Sequence, residues 1–105
     1  MTQKTIAGVT VEVNDEGYMV DPSQWNREIA EELAREDGIE LTDKHYEVLE
    51  FLRAANERGE TLTIRKVGKS GITDIKGLYQ LFPGGPLKLS SKFAGIPKPA
   101  SCVKL

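Results

Sequence analysis

The first twenty residues alternate between apolar and polar positions. Val9, Val11 and Val13 share one face at the two-residue period of a β-strand. Turn-forming residues stand on either side of this strand, at AG (7–8) and at NDEG (14–17). The pattern predicts a small N-terminal hairpin or a three-stranded meander, which must pack on helices to be stable.

Two amphipathic helical patterns come next. The first is predicted to open at DPS (21–23), where a capping side chain precedes a proline, and to stop at Gly38. Its apolar positions recur at helical spacing: Trp25, Ile29, Ala30, Leu33 and Ala34. The second is predicted to run from its cap Thr42 to Gly59. We expect its histidine, His45, to be a surface or boundary residue.

The C-terminal part is broken into shorter pieces. Residues 62–82 predict two short helices around GKSG (68–71), with Thr73 as the cap of the second. The inward positions of the second are predicted to be Ile75, Leu78, Leu81 and Phe82. A helix, a glycine turn and a helix with lysines around them resemble a helix-turn-helix, but two short helices at an angle more often reflect plain packing.

The end of the chain predicts an arm. After the break PGGP (83–86), residues 87–95 predict one or two helical turns, and beyond Gly95 two prolines and the loss of periodicity predict extended backbone. The elements predict a mainly α (α+β) protein, an orthogonal helical bundle with a small N-terminal hairpin. One domain is expected over residues 1–95, with a mobile C-terminal arm over 96–105.

Charge divides the chain into two unequal halves. Residues 1–64 hold 15 of the 16 acidic groups and have a balance of −9, whereas residues 65–105 have a balance of +7. This asymmetry fits an anionic partner or an acidic protein surface for the C-terminal half. It fits equally well a fold in which the two halves attract one another.

Composition narrows the location. Because no run of 18 apolar residues occurs, no membrane span is predicted, and the N-terminus lacks the charged-then-apolar pattern of a secretion signal. The single cysteine cannot form an internal disulfide, which favours a reducing cytoplasm.

That cysteine, Cys102, is the fourth residue from the end of the sequence and lies beyond a Pro-x-Pro segment. A structural cysteine is usually buried, so this position favours chemical use of the thiol on a tether. From Gly95 the chain reaches Cys102 in seven steps, about 23 Å when extended. A carried persulfide, a mixed disulfide and a thioester all remain compatible with the residues alone.

Other chemistries find little support in the residues. His45 and Cys102 are the only residues of their types, too few for a four-ligand zinc site, and far apart in sequence for a cysteine–histidine hydrolase. Neither a Walker loop nor GxGxxG occurs. We therefore predict no metal and no cofactor.

The segment LYQLFPGGPLKLSSKFAGIPKPASCV, residues 78–103, resembles the C-terminal signature of the DsrC/TusE family. Residues 16–53 resemble the middle of that family, with a tryptophan opening the first helix and Thr-x-x-His-Tyr opening the second. The family contains the gamma-subunit-like protein of dissimilatory sulfite reductase and the sulfur-relay protein of tRNA 2-thiouridylation. The resemblance implies a mainly helical domain with a hairpin and a mobile arm.

The resemblance also implies a role for single residues. The near-terminal cysteine of the family carries sulfur as a persulfide, and Cys102 occupies that position. Sulfite-reductase partners have a second cysteine eleven residues earlier, where this chain has Ser91, so their two-thiol chemistry is not expected. Basic residues are predicted to dock the arm or a partner: Arg65, Lys66, Lys92 and Lys98.

The sequence thus favours a sulfurtransferase-type carrier over a stand-alone catalyst. An upstream persulfide donor protein and a downstream acceptor, either a tRNA-thiolation complex or sulfite reductase, are its expected partners. A DsrC-like partner of dissimilatory sulfite reductase is one alternative. The other is a non-enzymatic regulator that binds DNA or protein through the helix-turn-helix-like segment.

Overall fold

The computed structural model describes residues 2–99. Two antiparallel strands, β1 (Thr2–Ile6) and β2 (Val9–Val13), come first. Five helices come after them: α1 (Arg27–Glu36), α2 (Asp43–Glu57), α3 (Ile64–Gly68), α4 (Ile75–Leu81) and α5 (Pro86–Phe93). The predicted mainly helical α+β fold is confirmed. None of the helices in the described part is long and apolar enough to cross a bilayer.

The hairpin forms where the alternation predicts it. Ala7 and Gly8 both have positive φ, 52° and 80°, as a two-residue turn with the twist of a hairpin requires. Val11 and Val13 are buried against the helices. Beyond β2 the sheet continues only as a single bridge between Val13 and Met19, so within the described residues the hairpin is present and a full third strand is not.

The first helix begins later than predicted. Asp21 does cap a turn, accepting from the Ser23 N–H at 3.0 Å, but that turn is a short 3-10 helix, Pro22–Gln24. α1 has its own cap, because the Asn26 side chain accepts from the Ile29 N–H at 2.8 Å. Trp25 therefore lies in the extended link between the two helices, outside the helix that it was expected to open.

His45 is buried, so its predicted position at the surface or boundary was wrong. Its Nδ1 accepts from the Thr42 backbone N–H at 3.0 Å, and its Nε2 lies 2.8 Å from the carbonyl oxygen of Leu81. This pattern requires the proton on Nε2, which donates to Leu81. Because both ring nitrogens have partners, the side chain can cap α2 and join it to the end of α4 inside the protein.

Two details of α4 also differ from the prediction. Asp74, rather than Thr73, is the cap, and its Oδ1 accepts from the Gly77 N–H at 2.7 Å. Ile75 is 44% exposed instead of facing inward. A helix of seven residues has few interior positions, and Leu78 and the adjoining Phe82 occupy them.

α5 is the central helix of the bundle. It contacts α1, α2 and α4, and five of its eight residues are buried: Pro86, Leu87, Ser90, Ser91 and Phe93. The C-terminal segment therefore departs from the most enclosed helix of the protein.

Candidate functional site at the root of the C-terminal arm

The chain leaves α5 through a defined helix end. The Gly95 N–H donates to the Lys92 carbonyl at 3.2 Å, and the Ile96 N–H donates to the Ser91 carbonyl at 3.3 Å. Gly95 has a φ of 71°. These two bonds and the left-handed residue form a Schellman motif, which ends a helix and fixes the direction in which the chain leaves it. We call residues 94–99, with the side chains that hold them, the arm root.

Trp25 packs directly on this exit. Its Nε1 donates to the Phe93 carbonyl at 2.8 Å. Its ring lies so close to Gly95 that a Cβ there would collide with the Trp25 side chain. Position 95 thus requires glycine for two reasons: the positive φ, and the lack of space for a Cβ beside the indole.

Arg53 completes the support. Its guanidinium donates to the Ala94 carbonyl at 2.9 Å and to the Pro22 carbonyl at 3.0 Å, and it lies 4.3 Å above the centroid of the Trp25 ring. Burial lowers the pKa of Arg53, while the charge of Glu57 raises it. A cation at the end of α5 also opposes the negative end of the helix dipole.

The described start of the arm lies against the body. Ile96 is fully buried and Pro99 is buried. Lys98 forms an ion pair with Glu16 at 2.9 Å, and its side chain is only 18% exposed. The packed chain therefore continues past Gly95, while the predicted boundary between domain and mobile arm stays a prediction.

The predicted site residues fall into two separate groups. Lys92 and Lys98 belong to α5 and the arm root, where Lys92 lies 3.8 Å from Asp37. Lys66 of α3 pairs with Glu60 at 2.7 Å, whereas Arg65 is exposed. No hydrogen bond or ion pair within residues 2–99 joins the two groups. Cys102, the predicted sulfur carrier, lies outside the described residues.

Ser91 is fully buried in α5, and its Oγ has no hydrogen-bond partner among the described residues. At the position where the resemblance places a second cysteine, the chain thus has a hydroxyl that gains nothing from its surroundings. An apolar or thiol side chain of similar size would fit such a site at lower cost.

The sequence interpretation missed Arg53, Glu16 and the contact of Trp25 with Gly95. A signal for Arg53 existed: it lies one turn after Leu49, so it continues the buried stripe of α2 at a position where a cation is costly. For Glu16 no local signal existed, because its partner Lys98 is far away in sequence.

The described part of the protein holds no cluster of metal ligands, and the groove that it does show lies away from the predicted site. Within residues 2–99, no three histidine, cysteine or acidic side chains are placed to share a metal ion. An open groove of about 430 Å³ lies at the end of α1, in the acidic half. Its lining contains none of the predicted site residues: Glu31, Arg35, Gly38, Ile39, Glu40 and Leu41.

Comparison with known proteins gives a consistent set of similarities. The family described as DsrC like proteins matches residues 5–103. The chain is 40% identical to a Haemophilus influenzae protein named sulfurtransferase TusE homolog, over 93% of this chain and 97% of that protein.

Solved structures are similar over almost the whole chain. The NMR structure of DsrC from Allochromatium vinosum has a TM-score of 0.78 and 35% identity, covering 97% of this chain and 100% of that one. The crystal structure of the oxidized gamma-subunit of the dissimilatory sulfite reductase (DsrC) from Archaeoglobus fulgidus has a TM-score of 0.78 and 28% identity, covering 93% and 96%.

Proposed function

Because the chain belongs to the family of DsrC like proteins, we propose that it is a sulfur-relay protein of the sulfurtransferase type. Cys102 accepts sulfane sulfur as a persulfide and passes it to a partner enzyme. The observation that carries this proposal is the family match itself, which extends to residue 103 and so includes Cys102. The Haemophilus influenzae relative bears the name of a sulfurtransferase.

The transfer step balances without a cofactor. The Cys102 thiolate attacks the outer sulfur of a donor persulfide, a bond forms between the two sulfurs, and the bond between the two donor sulfurs breaks. The donor departs as a thiolate and Cys102 keeps the transferred sulfur with its proton. The transfer involves no net oxidation. Because the thiolate is the reactive form, Cys102 must stay reduced, and a reducing cytoplasm is therefore the proposed location.

The arm root sets how far the thiol extends from the body. With Ile96 and Pro99 packed, three residue steps separate Pro99 from Cys102, which is at most about 10 Å. Releasing residues 96–99 would restore a reach of about 23 Å from Gly95. The release breaks the ion pair between Lys98 and Glu16 and exposes the buried Ile96 side chain. Together these losses cost a free energy of about 2–3 kcal/mol.

Ser91 bears on the choice of partner. Without a second thiol in the arm, an internal disulfide with Cys102 is not available, which favours one-thiol relay to an acceptor such as a tRNA-thiolation complex. A role as a DsrC-like partner of dissimilatory sulfite reductase remains the second candidate, favoured by the similarity to the Archaeoglobus fulgidus gamma-subunit.

Intact mass measurement tests the carrier step. The full chain is incubated with glutathione persulfide, and a gain of one sulfur atom is expected on the wild type but not on Cys102→Ser. Treatment with a reducing thiol should return the original mass. A wild type that gains no sulfur from this donor or from a persulfide-bearing desulfurase would refute the carrier role.

A further inference from the structure

Most of the cationic side chains within residues 2–99 are already paired. All but four of the Lys and Arg side chains contact an acidic side chain or a backbone carbonyl. The four that make neither contact with the described residues are Arg65, Lys69, Lys76 and Lys88. Three of these belong to α3, α4 and the turn between them.

The exposed large apolar side chains lie in the same place. Within residues 2–99 only Ile75 and Tyr79 belong to this class, at 44% and 50% exposure. They are one turn apart on α4 and so share a face, which Lys76 borders three positions before Tyr79. Isolated exposed apolar residues are ordinary. Here two of them are neighbours and unpaired cations lie beside them, so this part of the surface combines an apolar patch with positive charge.

α3 extends this surface. Ile75 lies over Gly68, where an added Cβ would be 2.7 Å from Ile75 Cγ1. Arg65 is exposed and precedes Gly68 by three positions on α3, and Lys69 caps the end of that helix, so helical spacing puts both cations on the side of α3 that borders Ile75. We define the α3–α4 face by its five residues: Arg65, Lys69, Ile75, Lys76 and Tyr79.

We propose that the α3–α4 face is the docking surface for a relay partner protein whose own contact surface is apolar at its centre and acidic at its rim. Protein interfaces combine apolar anchors, tyrosine prominent among them, with a charged rim. Arg65, Lys69 and Lys76 need break no existing ion pair to meet acidic partner groups. Charge complementarity therefore selects an acidic partner.

A protein partner fits this face better than a nucleic acid does. The Asp74 carboxylate caps α4 and accepts the Gly77 N–H, so that N–H is not free to bind a phosphate. The two helices have only five and seven residues. The centre of the face is apolar, whereas duplex recognition relies on cations and polar groups aimed at the grooves.

Docking through the body would assist sulfur transfer. A bound partner makes the attack by Cys102 effectively intramolecular, with an effective concentration set by the length of the arm. The identity of the partner as a relay protein rests on the proposed function. The preference of the face for an acidic, apolar surface does not depend on Cys102.

The test uses the full chain carrying Cys102→Ser, so that sulfur transfer plays no part. A synthetic helical peptide with a leucine stripe flanked by glutamates is titrated into the isotope-labelled protein and followed by NMR. Shifts are expected in the amides of residues 64–81, with affinity falling as salt rises. The double change Lys69→Glu and Lys76→Glu should weaken binding about tenfold, and Tyr79→Ser about fivefold.

Lys88→Glu is the matched control. Lys88 is also exposed and unpaired among the described residues, but it lies on α5, where its carbonyl contacts the Tyr18 hydroxyl. The affinity of this variant should stay within about twofold of that of the parent, since rim charges act mainly over short distances. Thermal melting should show all variants folded, because the side chains altered at positions 69, 76, 79 and 88 are exposed.

Several outcomes would overturn the inference. They are no binding of the peptide, shifts centred elsewhere, an equal loss in Lys88→Glu, or equal binding of a peptide with lysines in place of the glutamates. Salt-dependent binding of duplex DNA that the double variant abolishes would assign the face to nucleic acid instead. A concentration-dependent dimer lost in that variant would assign it to a second copy. Sulfur loading in the mass experiment is independent of all these results.

Discussion

The arm root and the α3–α4 face both carry cations, but these cations have different roles. At the arm root Arg53 bonds two backbone carbonyls and Lys98 pairs with Glu16. On the α3–α4 face Arg65, Lys69 and Lys76 contact no carboxylate among residues 2–99. A cation's role thus depends on its neighbours in space: paired cations hold the chain in place, and unpaired ones are left for partners.

The largest expected effect comes from the exit of the arm. Gly95→Ala should lower the free energy of unfolding by about 3 kcal/mol, because it adds positive-φ strain to a collision with Trp25. Gly84→Ala is the control, since Gly84 has a φ of 89° and nothing within 4 Å of an added Cβ. It should lose only about 1 kcal/mol. Urea unfolding measures both, and equal losses would mean that the Trp25 contact does not restrict this position.

The second effect compares the two kinds of cation directly. Arg53→Met should cost about 2–3 kcal/mol, because two carbonyls lose their donor and the stack on Trp25 is weakened. Arg65→Met should change stability by less than about 0.5 kcal/mol. Urea unfolding of the two variants decides the point. If both variants lost the same free energy of unfolding, the distinction between paired and unpaired cations would be refuted.

A smaller effect is expected at Ser91, inside α5. Ser91→Ala should raise the free energy of unfolding by about 1 kcal/mol, because it removes a buried hydroxyl without a partner among the described residues. Ser90→Ala is the matched change one residue earlier, where Oγ donates to the Leu87 carbonyl at 3.2 Å. That variant should lose about 1 kcal/mol. Thermal or urea unfolding should give opposite signs, and a loss in both would indicate a partner for Ser91.

The smallest effect concerns the ion pairs beside α3. Hydrogen bonds from Arg58 and Lys66 lower the pKa of Glu60 to about 2. This folded-state pKa lies below the ordinary value of 4.5. The ionised Glu60 side chain therefore stabilises the fold fully above pH 4.5, and this stabilisation is lost as the pH falls towards 2. Lys66→Met should raise the pKa of Glu60 in a carbon NMR titration, while Lys69→Met should leave it unchanged. A titration curve identical in Lys66→Met would contradict the pairing.

Much of the fold can be derived from local pattern. The alternation at Val9, Val11 and Val13, with the Ala7-Gly8 turn, predicted the hairpin, and the capping residue Thr42 and the stop at Gly59 predicted α2. These features succeed because each depends on residues a few positions apart. The predicted start of α1 was wrong. Two capping residues, Asp21 and Asn26, lie close together, and the sequence does not say which of them opens the longer helix.

The candidate site is predictable to a lesser extent. Cys102 and the family resemblance came from sequence, and the described structure adds the surroundings of the start of the arm. Arg53 was overlooked although it continues the buried stripe of α2, because its partners, the carbonyls of Pro22 and Ala94, belong to distant parts of the chain. Ile75 was placed inside by periodicity, but the short α4 turns it outward.

The order of residues was enough to predict the helices and the hairpin, the excess of positive charge after residue 64 and the position of the lone thiol. It did not show which of those positive charges are paired and which are open, because periodicity and capping act between near neighbours in the chain. The pairing of Lys98 with Glu16, or the lack of a partner at Lys69 among the described residues, depends on distances between elements that only folding brings together.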